Sequence, residues 1–346
     1  MQNITSYIYI RIRTKSKSYI QIKLYYNVPL TLKNIKRSRS HIHKYILIQI
    51  KNHIDKMASP SSILSPVCTI VGGTKGIGLA MAKEWIKKQK QIRNDIMPKI
   101  YLLGRSINVK ENKPLDTFMK MEYNEAIVKP VHIDLTEPES IESTCKYVCN
   151  DTETLDYLFH TAGMLHNIDN NTGKQMLNKP RLPERSLKGL SYDGMLQTFQ
   201  LNTIAPGLVI KGFSDILKKS HRNGYRSLEQ NLPPVVAALS ARVGSISDNG
   251  KGGWTSYRAS KAALNMILLN AHIEFGMGPE QKVIVMSLHP GTVDTGLSQP
   301  FQQIAAKQYE IFTPEHSASM LVDLCLKSDE TYSGNFYAYD GSRIPY

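Results

Sequence analysis

From residue 67 onward, short apolar runs alternate with longer helix-like stretches. The runs Val67–Val71, Lys99–Leu103, Ala126–Ile133, Leu155–His160, Pro234–Leu239, Lys282–Leu288 and Asn335–Tyr339 predict strands. Between them, Ile77–Lys88, Pro138–Val148, Met195–Lys218, Tyr257–Phe275 and Pro314–Lys327 predict helices. Such alternation builds βαβ units around a parallel sheet. The polar stretches 106–125, 164–192 and 219–232 read as loops or insertions, and no internal repeat is visible. One domain boundary is expected near residue 60, dividing an N-terminal extension (1–60) from an α/β domain (61–346).

The first 56 residues break the pattern. They hold twelve Lys and Arg against one acid, Asp55. Tyr7–Arg13 alternates with period two, not with the 3.6 period of an amphipathic helix. Three readings fit: a disordered or spurious extension, a basic and acid-poor transit peptide, or a basic arm for membrane or nucleic acid. Met57-Ala58-Ser59-Pro60 looks like a natural start ten residues before the first strand. A genuine transit peptide would send the chain to a mitochondrion or plastid; otherwise a cytoplasmic location is expected.

Composition changes the picture only where it is uneven. The net charge is +14, but the tail alone contributes +11, leaving +3 for the rest. The folded part therefore gives no electrostatic reason for nucleic-acid binding. No apolar run approaches the roughly 18 residues of a membrane span. The four cysteines (Cys68, Cys145, Cys149, Cys325) are too few for a disulfide scaffold. They read as small buried residues in a reducing compartment, and no metal site is expected.

Two segments carry chemistry. The first is Gly72-Gly73-Thr74-Lys75-Gly76-Ile77-Gly78, directly after the strand Val67–Val71. Glycines serve where a chain turns tightly, where backbone meets pyrophosphate and where helix packs on strand. The helix start offers free N–H groups and the positive end of its dipole to phosphates. The predicted fold is thus a Rossmann-type doubly wound parallel sheet, three layers in αβα order. An acid after the second strand would suit the ribose 2′-hydroxyl of NAD, whereas an Arg suits the 2′-phosphate of NADP. Here that strand ends Leu103-Gly104-Arg105-Ser106, and Lys75 sits inside the glycine loop. Two cations and no acid favour NADPH over NADH.

The second segment is Tyr257-Arg258-Ala259-Ser260-Lys261, after the glycine-rich Gly250–Trp254. An i,i+4 pair lies on one helix face. A phenol titrates near pH 10, and a neighbouring ammonium lowers that value towards working pH. Spacing alone is poor evidence, since Tyr19 and Lys23 match it too.

With these residues in place, the chain from about 65 to 346 resembles the short-chain dehydrogenase/reductase superfamily. Gly72, Gly76 and Gly78 fit the glycine loop. Asp134-Leu135 fits the acidic end of strand three that contacts adenine. His160-Thr161-Ala162-Gly163 stands where Asn-Asn-Ala-Gly is usual, so Ala162 and Gly163 agree and His160 departs. Asn202 matches the catalytic helix Asn, and Pro290-Gly291-Thr292-Val293-Asp294-Thr295 the loop that contacts nicotinamide. Within the superfamily the chain looks most like the C-factor (C-signal) and sniffer-type carbonyl reductases. Pro183–Leu187, Ser240–Ile246, Gly252-Gly253-Trp254 and Phe336–Gly341 support that likeness.

The resemblance implies that NADPH reduces a carbonyl to an alcohol. Tyr257 would donate the proton, Lys261 bind the nicotinamide ribose and lower the Tyr pKa, and Asn202 hold a relay water. The family's serine, about thirteen residues before Tyr in the usual pattern, is assigned to Ser240, followed by Ala241 where a second Ser is common, with Ser245, twelve residues before Tyr257, as the alternative. Trp254, Phe301 and Met164 would wall the substrate pocket. Relatives often form homodimers or homotetramers through the helices at 195–218 and 257–275. Two further readings remain open: an NADP-binding sensor with little turnover, and a binder driven by the tail.

Overall fold

A computed structural model describes residues 5–13, 19–27, 64–108, 110–121, 125–165, 183–278, 282–307 and 309–346. Seven strands form one parallel sheet: β1 (Val67–Val71), β2 (Lys99–Gly104), β3 (Ile127–His132), β4 (Tyr157–His160), β5 (Val235–Leu239), β6 (Ile284–His289) and β7 (Asn335–Ala338). Their order is β7-β6-β5-β4-β1-β2-β3. Val71 pairs with Leu103 on one side and His160 on the other, so the carboxyl ends of the central strands lie level. The order reverses beside β1, which opens a crevice there, and doubly wound folds bind ligands in that crevice.

Central strands are apolar on both faces because helices cover both. Cys68 and Ile70 of β1 face α1 (Gly76–Ile92), α2 (Lys113–Met121) and α7 (Pro314–Lys327), where Trp85, Phe118 and Leu321 are fully buried. Val67 and Val71 face α3 (Pro138–Asp151), α5 (Ala205–Asn223) and α6 (Thr255–Phe275), where Val148, Phe213 and Leu264 pack. These two apolar layers sandwich the sheet in αβα order, as expected.

Four expectations need correction. The stretch 106–125 contains α2, hidden in the sequence because only Leu115 and Phe118 of its nine residues are buried. The stretch 219–232 holds the end of α5 and a helix at Tyr225–Gln230. The single helix expected over 195–218 is α4 (Tyr192–Phe199), a π-turn (Gln200–Ile204) and α5. Pro206 explains the break: it has no N–H to donate to the carbonyl four residues earlier, that of Asn202. Cys149 is half-buried, unlike the other three cysteines.

The chain divides into two units, Met1–Ser62 and Ile63–Tyr346. In the first, Thr5–Arg13 and Tyr19–Asn27 pair as antiparallel strands with Ile10 opposite Ile22, which suits the period-two alternation of 7–13. Tyr19 and Lys23 thus fall on a strand, where four residues span about 13 Å, and are no helical pair. The start at Met57 and most of the loop 164–192 lie outside the described residues. Among the described residues, no helix is long and apolar enough to cross a membrane.

Candidate active site

The glycine loop turns from β1 into α1 at the crevice. Gly72 is left-handed at φ +81°, and any Cβ there would stand 2.8 Å from Ala162 N. Gly78 lies against Gly72 itself, 2.3 Å from its carbonyl oxygen by the same measure, so the first turn of α1 packs directly on the strand exit. Gly76, at φ +55°, meets only Thr295 Cγ2 at 3.9 Å, which leaves open space between the loop and the 290–295 segment. The start of α1 has no side-chain cap and no acidic residue in its first turn. Its free N–H groups therefore point at that space unpartnered by protein. An anionic diphosphate fits such a cradle.

Thr74 is buried, while Lys75 and Arg105 are exposed. Ile77 is half-buried behind them and packs on the core. A residue that sequence reasoning missed holds this corner. Asn112 donates to Thr74 O (3.1 Å) and Ser106 O (2.9 Å), and its Oδ1 accepts from Leu115 N at the start of α2. Its signal was the Asn three residues before Leu115, an N-cap position of the overlooked helix. Asp134 takes hydrogen bonds from Thr136, which hold its carboxyl below the ordinary range, with the nearby Arg105 charge adding to this. Leu135 is buried beside it.

On the other wall, α6 presents Tyr257 and Lys261 together, both buried. Lys261 Nζ lies 5.8 Å from the centre of the Tyr257 ring and donates to Leu239 O at 2.8 Å. Asn202, in the π-turn, donates to Met164 O (2.9 Å) and Ser260 Oγ (3.1 Å) and accepts from Met164 N (2.8 Å). Gly163 fits between them: a Cβ there would come 3.3 Å from Asn202 Oδ1 and 3.4 Å from Lys261 Nζ. Ala162, half-buried, precedes it. The π-turn and Ser260, a second buried polar partner on α6, were not anticipated.

The two serines differ in a way the sequence could not show. Ser245 Oγ accepts from Asp248 N at 3.1 Å and so closes a turn. Ser240 Oγ, at the end of β5, is buried with no hydrogen-bond partner. Ala241 joins an apolar cluster with Leu165 and Tyr257, against which Val243, Trp254, Leu297 and Phe301 pack. Of the expected pocket walls, Trp254 and Phe301 meet edge to face at 5.0 Å, and Trp254 meets Tyr257 at 6.2 Å. Met164 is half-buried and engages Asn202 through its backbone.

The loop after β6 closes the crevice. Gly291 is left-handed at φ +79°, with no room for a Cβ against the Phe312 ring. Pro290 O accepts from Ser317 Oγ at 2.8 Å, and Thr292 and Val293 pair in parallel with Ile311 and Phe312. Thr295 N donates to Ser298 Oγ at 3.2 Å.

Electrostatics correct one expectation. Burial pushes the Tyr257 phenol up, well above its ordinary value, instead of Lys261 drawing it down. Burial also lowers Lys261 to about 8. His160, at the end of β4, is held neutral by burial and then by the Lys261 charge, at about 3. An imidazole so disposed adds no charge to the site.

The KR domain family profile matches residues 67–178. A 1-hydroxy-2-glutathionyl-2-methyl-3-butene dehydrogenase of Rhodococcus sp. is 30% identical over 210 residues, covering 61% of this chain and 76% of that protein. The C-signal protein of Myxococcus xanthus is 31% identical over 161 residues, 46% of this chain and 84% of that one. The chain belongs to the short-chain dehydrogenase/reductase family of oxidoreductases. Among solved structures it is similar to the carbonyl reductase Sniffer of Drosophila melanogaster, with a TM-score of 0.63 at 23% identity over 82% of this chain and all of that one. It is likewise similar to an NADPH-bound carbonyl reductase from chicken fatty liver, with a TM-score of 0.63 at 21% identity over 82% and 96% of the two chains.

Proposed function

We propose that the protein is an NADPH-dependent reductase of small-molecule carbonyl compounds. The observation that carries this reading is the buried Tyr257–Lys261 pair, facing the same crevice as the uncapped start of α1. A bound nicotinamide dinucleotide would supply the hydride. The residues that would hold it are Gly72, Thr74, Lys75, Gly76, Ile77 and Gly78 at the phosphates, Arg105 at the 2′-phosphate, Asp134 and Leu135 at the base, and Ala162, Gly163, Pro290, Gly291, Val293 and Thr295 along the crevice. Tyr257 delivers the proton to the carbonyl oxygen. Lys261 carries the charge that stabilises the phenolate left behind, and Asn202 ties the Met164 backbone to the Ser260 hydroxyl on the same helix as both. Chicken carbonyl reductase is described as NADPH-bound, which supports the cofactor reading alongside Lys75 and Arg105.

A panel of aldehydes, ketones and quinones tested with NADPH and with NADH checks the reading directly. Turnover is expected with NADPH, and Arg105→Asp should shift the preference towards NADH. Tight NADPH binding with no turnover across the panel would favour a sensor.

Ser240 orients the carbonyl in this proposal, because its buried hydroxyl is unspent whereas that of Ser245 is committed to a turn. Ser240→Ala should lower kcat/KM about 10²-fold, the loss of about 2.7 kcal/mol of transition-state stabilisation expected of an active-site donor. Ser245→Ala should leave kcat/KM near that of the parent. Parallel kinetics on the two variants decide between them, and the opposite ranking transfers the role to Ser245.

A further inference from the structure

Glu184 is a carboxylate only 1% exposed, set against the first turn of α6. Its Oε1 accepts from Ser256 N at 3.1 Å and from the Ser256 hydroxyl. Its main-chain carbonyl accepts from Trp254 N at 2.6 Å, while Oε2 is buried without a partner. A buried carboxylate is costly unless something favourable faces it. Here that is the positive end of α6 and its free N–H groups.

The same contact braces an unusual loop. Gly252, Gly253 and Trp254 are consecutively left-handed, at φ 61°, 63° and 53°. A non-glycine residue in that region persists only where its surroundings over-determine it. The Glu184 carbonyl fixes the Trp254 N–H, and a Cβ on Gly253 would stand 3.1 Å from Arg185 O, so segment and loop are in close contact. Trp254 is the residue before α6 and the ring against both Tyr257 and Phe301.

We propose that Glu184 is the positioning residue of this site: its carboxylate fixes the first turn of α6, its carbonyl fixes Trp254, and together they set Tyr257 and the aromatic wall in one geometry towards the substrate. The proposal rests on the reductase reading for its kinetic consequences, but not for its structural one. Small displacements of a reacting group cost rate steeply, about 10²-fold for 1 Å.

The test compares Glu184→Ala and Glu184→Gln in the full chain. Gln keeps an oxygen that can accept from both Ser256 donors; Ala keeps none. Glu184→Ala should lower kcat about 10²-fold and raise KM more for bulky aromatic carbonyls than for small aliphatic ones. NADPH affinity should be unchanged, and Glu184→Gln should restore most of the rate. A second readout needs no turnover. The chain has two tryptophans, and Trp85 is fully buried, so acrylamide quenching reports Trp254. Quenching should rise in Glu184→Ala and return to the parent value in Glu184→Gln. Parental kcat and quenching in the Ala variant overturn the proposal, as does equal damage by Ala and Gln. Loss of NADPH binding in step with rate also overturns it, since that marks general unfolding. A parent enzyme with no turnover sinks the reductase reading alone, and the quenching comparison still decides the role of Glu184.

Discussion

Tyr257→Phe is expected to lower carbonyl reduction about 10³-fold, within the usual worth of a positioned general acid, while NADPH still binds. The substitution removes one oxygen and keeps the ring, so the packing against Trp254, Leu165 and Ala241 survives. Burial holds the phenol protonated far above neutral pH, so the acid is loaded throughout the working range. What limits it is the phenolate left after transfer, which the Lys261 ammonium, 5.8 Å from the ring centre, faces. Lys261 titrates at about 8 in the folded protein, so it is charged below that pH and neutral above it. Reduction, read as kcat/KM of the free enzyme, should therefore fall as pH rises through about 8. A Phe variant with most of the parental kcat, at equal NADPH affinity, refutes the assignment of Tyr257.

The sheet was legible in the sequence because each central strand is buried on both faces and so reads as an unbroken apolar run. Elements with little burial were not. Only Leu115 and Phe118 of α2 are buried, with Met119 packing partly against the same core, so its pattern resembled a loop. The break at Gln200–Ile204 left one trace, Pro206, that could have been read from the missing N–H. Among the site residues, spacing brought Tyr257 and Lys261 onto one face correctly, but could not weigh burial against charge. It therefore mistook the direction in which the phenol is shifted. Nor could spacing show that the fold already uses the Ser245 hydroxyl and leaves that of Ser240 without a partner. The role of Glu184, and that of Asn112 beyond its N-cap signal, were hidden for a related reason: each acts on a partner more than 30 residues away, Ser256 or Thr74.

The glycine loop offers a second large effect, and the fold separates its glycines sharply. An added Cβ at Gly78 would lie 2.3 Å from Gly72 O and 2.4 Å from Thr161 Oγ1. The first of these is backbone and cannot rotate away. Relief requires α1 to withdraw from the exit of β1, yet Leu79, Met81, Ala82, Trp85 and Ile86 anchor that helix in the core. Forced overpacking of this kind costs about 1–3 kcal/mol, concentrated at the turn whose N–H groups form the phosphate cradle. Gly78→Ala should weaken NADPH binding about 100-fold, equivalent to some 2.8 kcal/mol. Gly76 is the instructive contrast. Unlike Gly78 it is left-handed, at φ +55°, but its Cβ would meet nothing nearer than Thr295 Cγ2 at 3.9 Å. Only the conformational cost of about 1–2 kcal/mol applies there, so Gly76→Ala should lose roughly tenfold. Fluorescence titration of NADPH on both variants, with thermal melts to confirm folding, measures the order. If Gly76→Ala proves the more damaging, steric closure at Gly78 does not shape the cradle, and binding depends on the left-handed turn at Gly76.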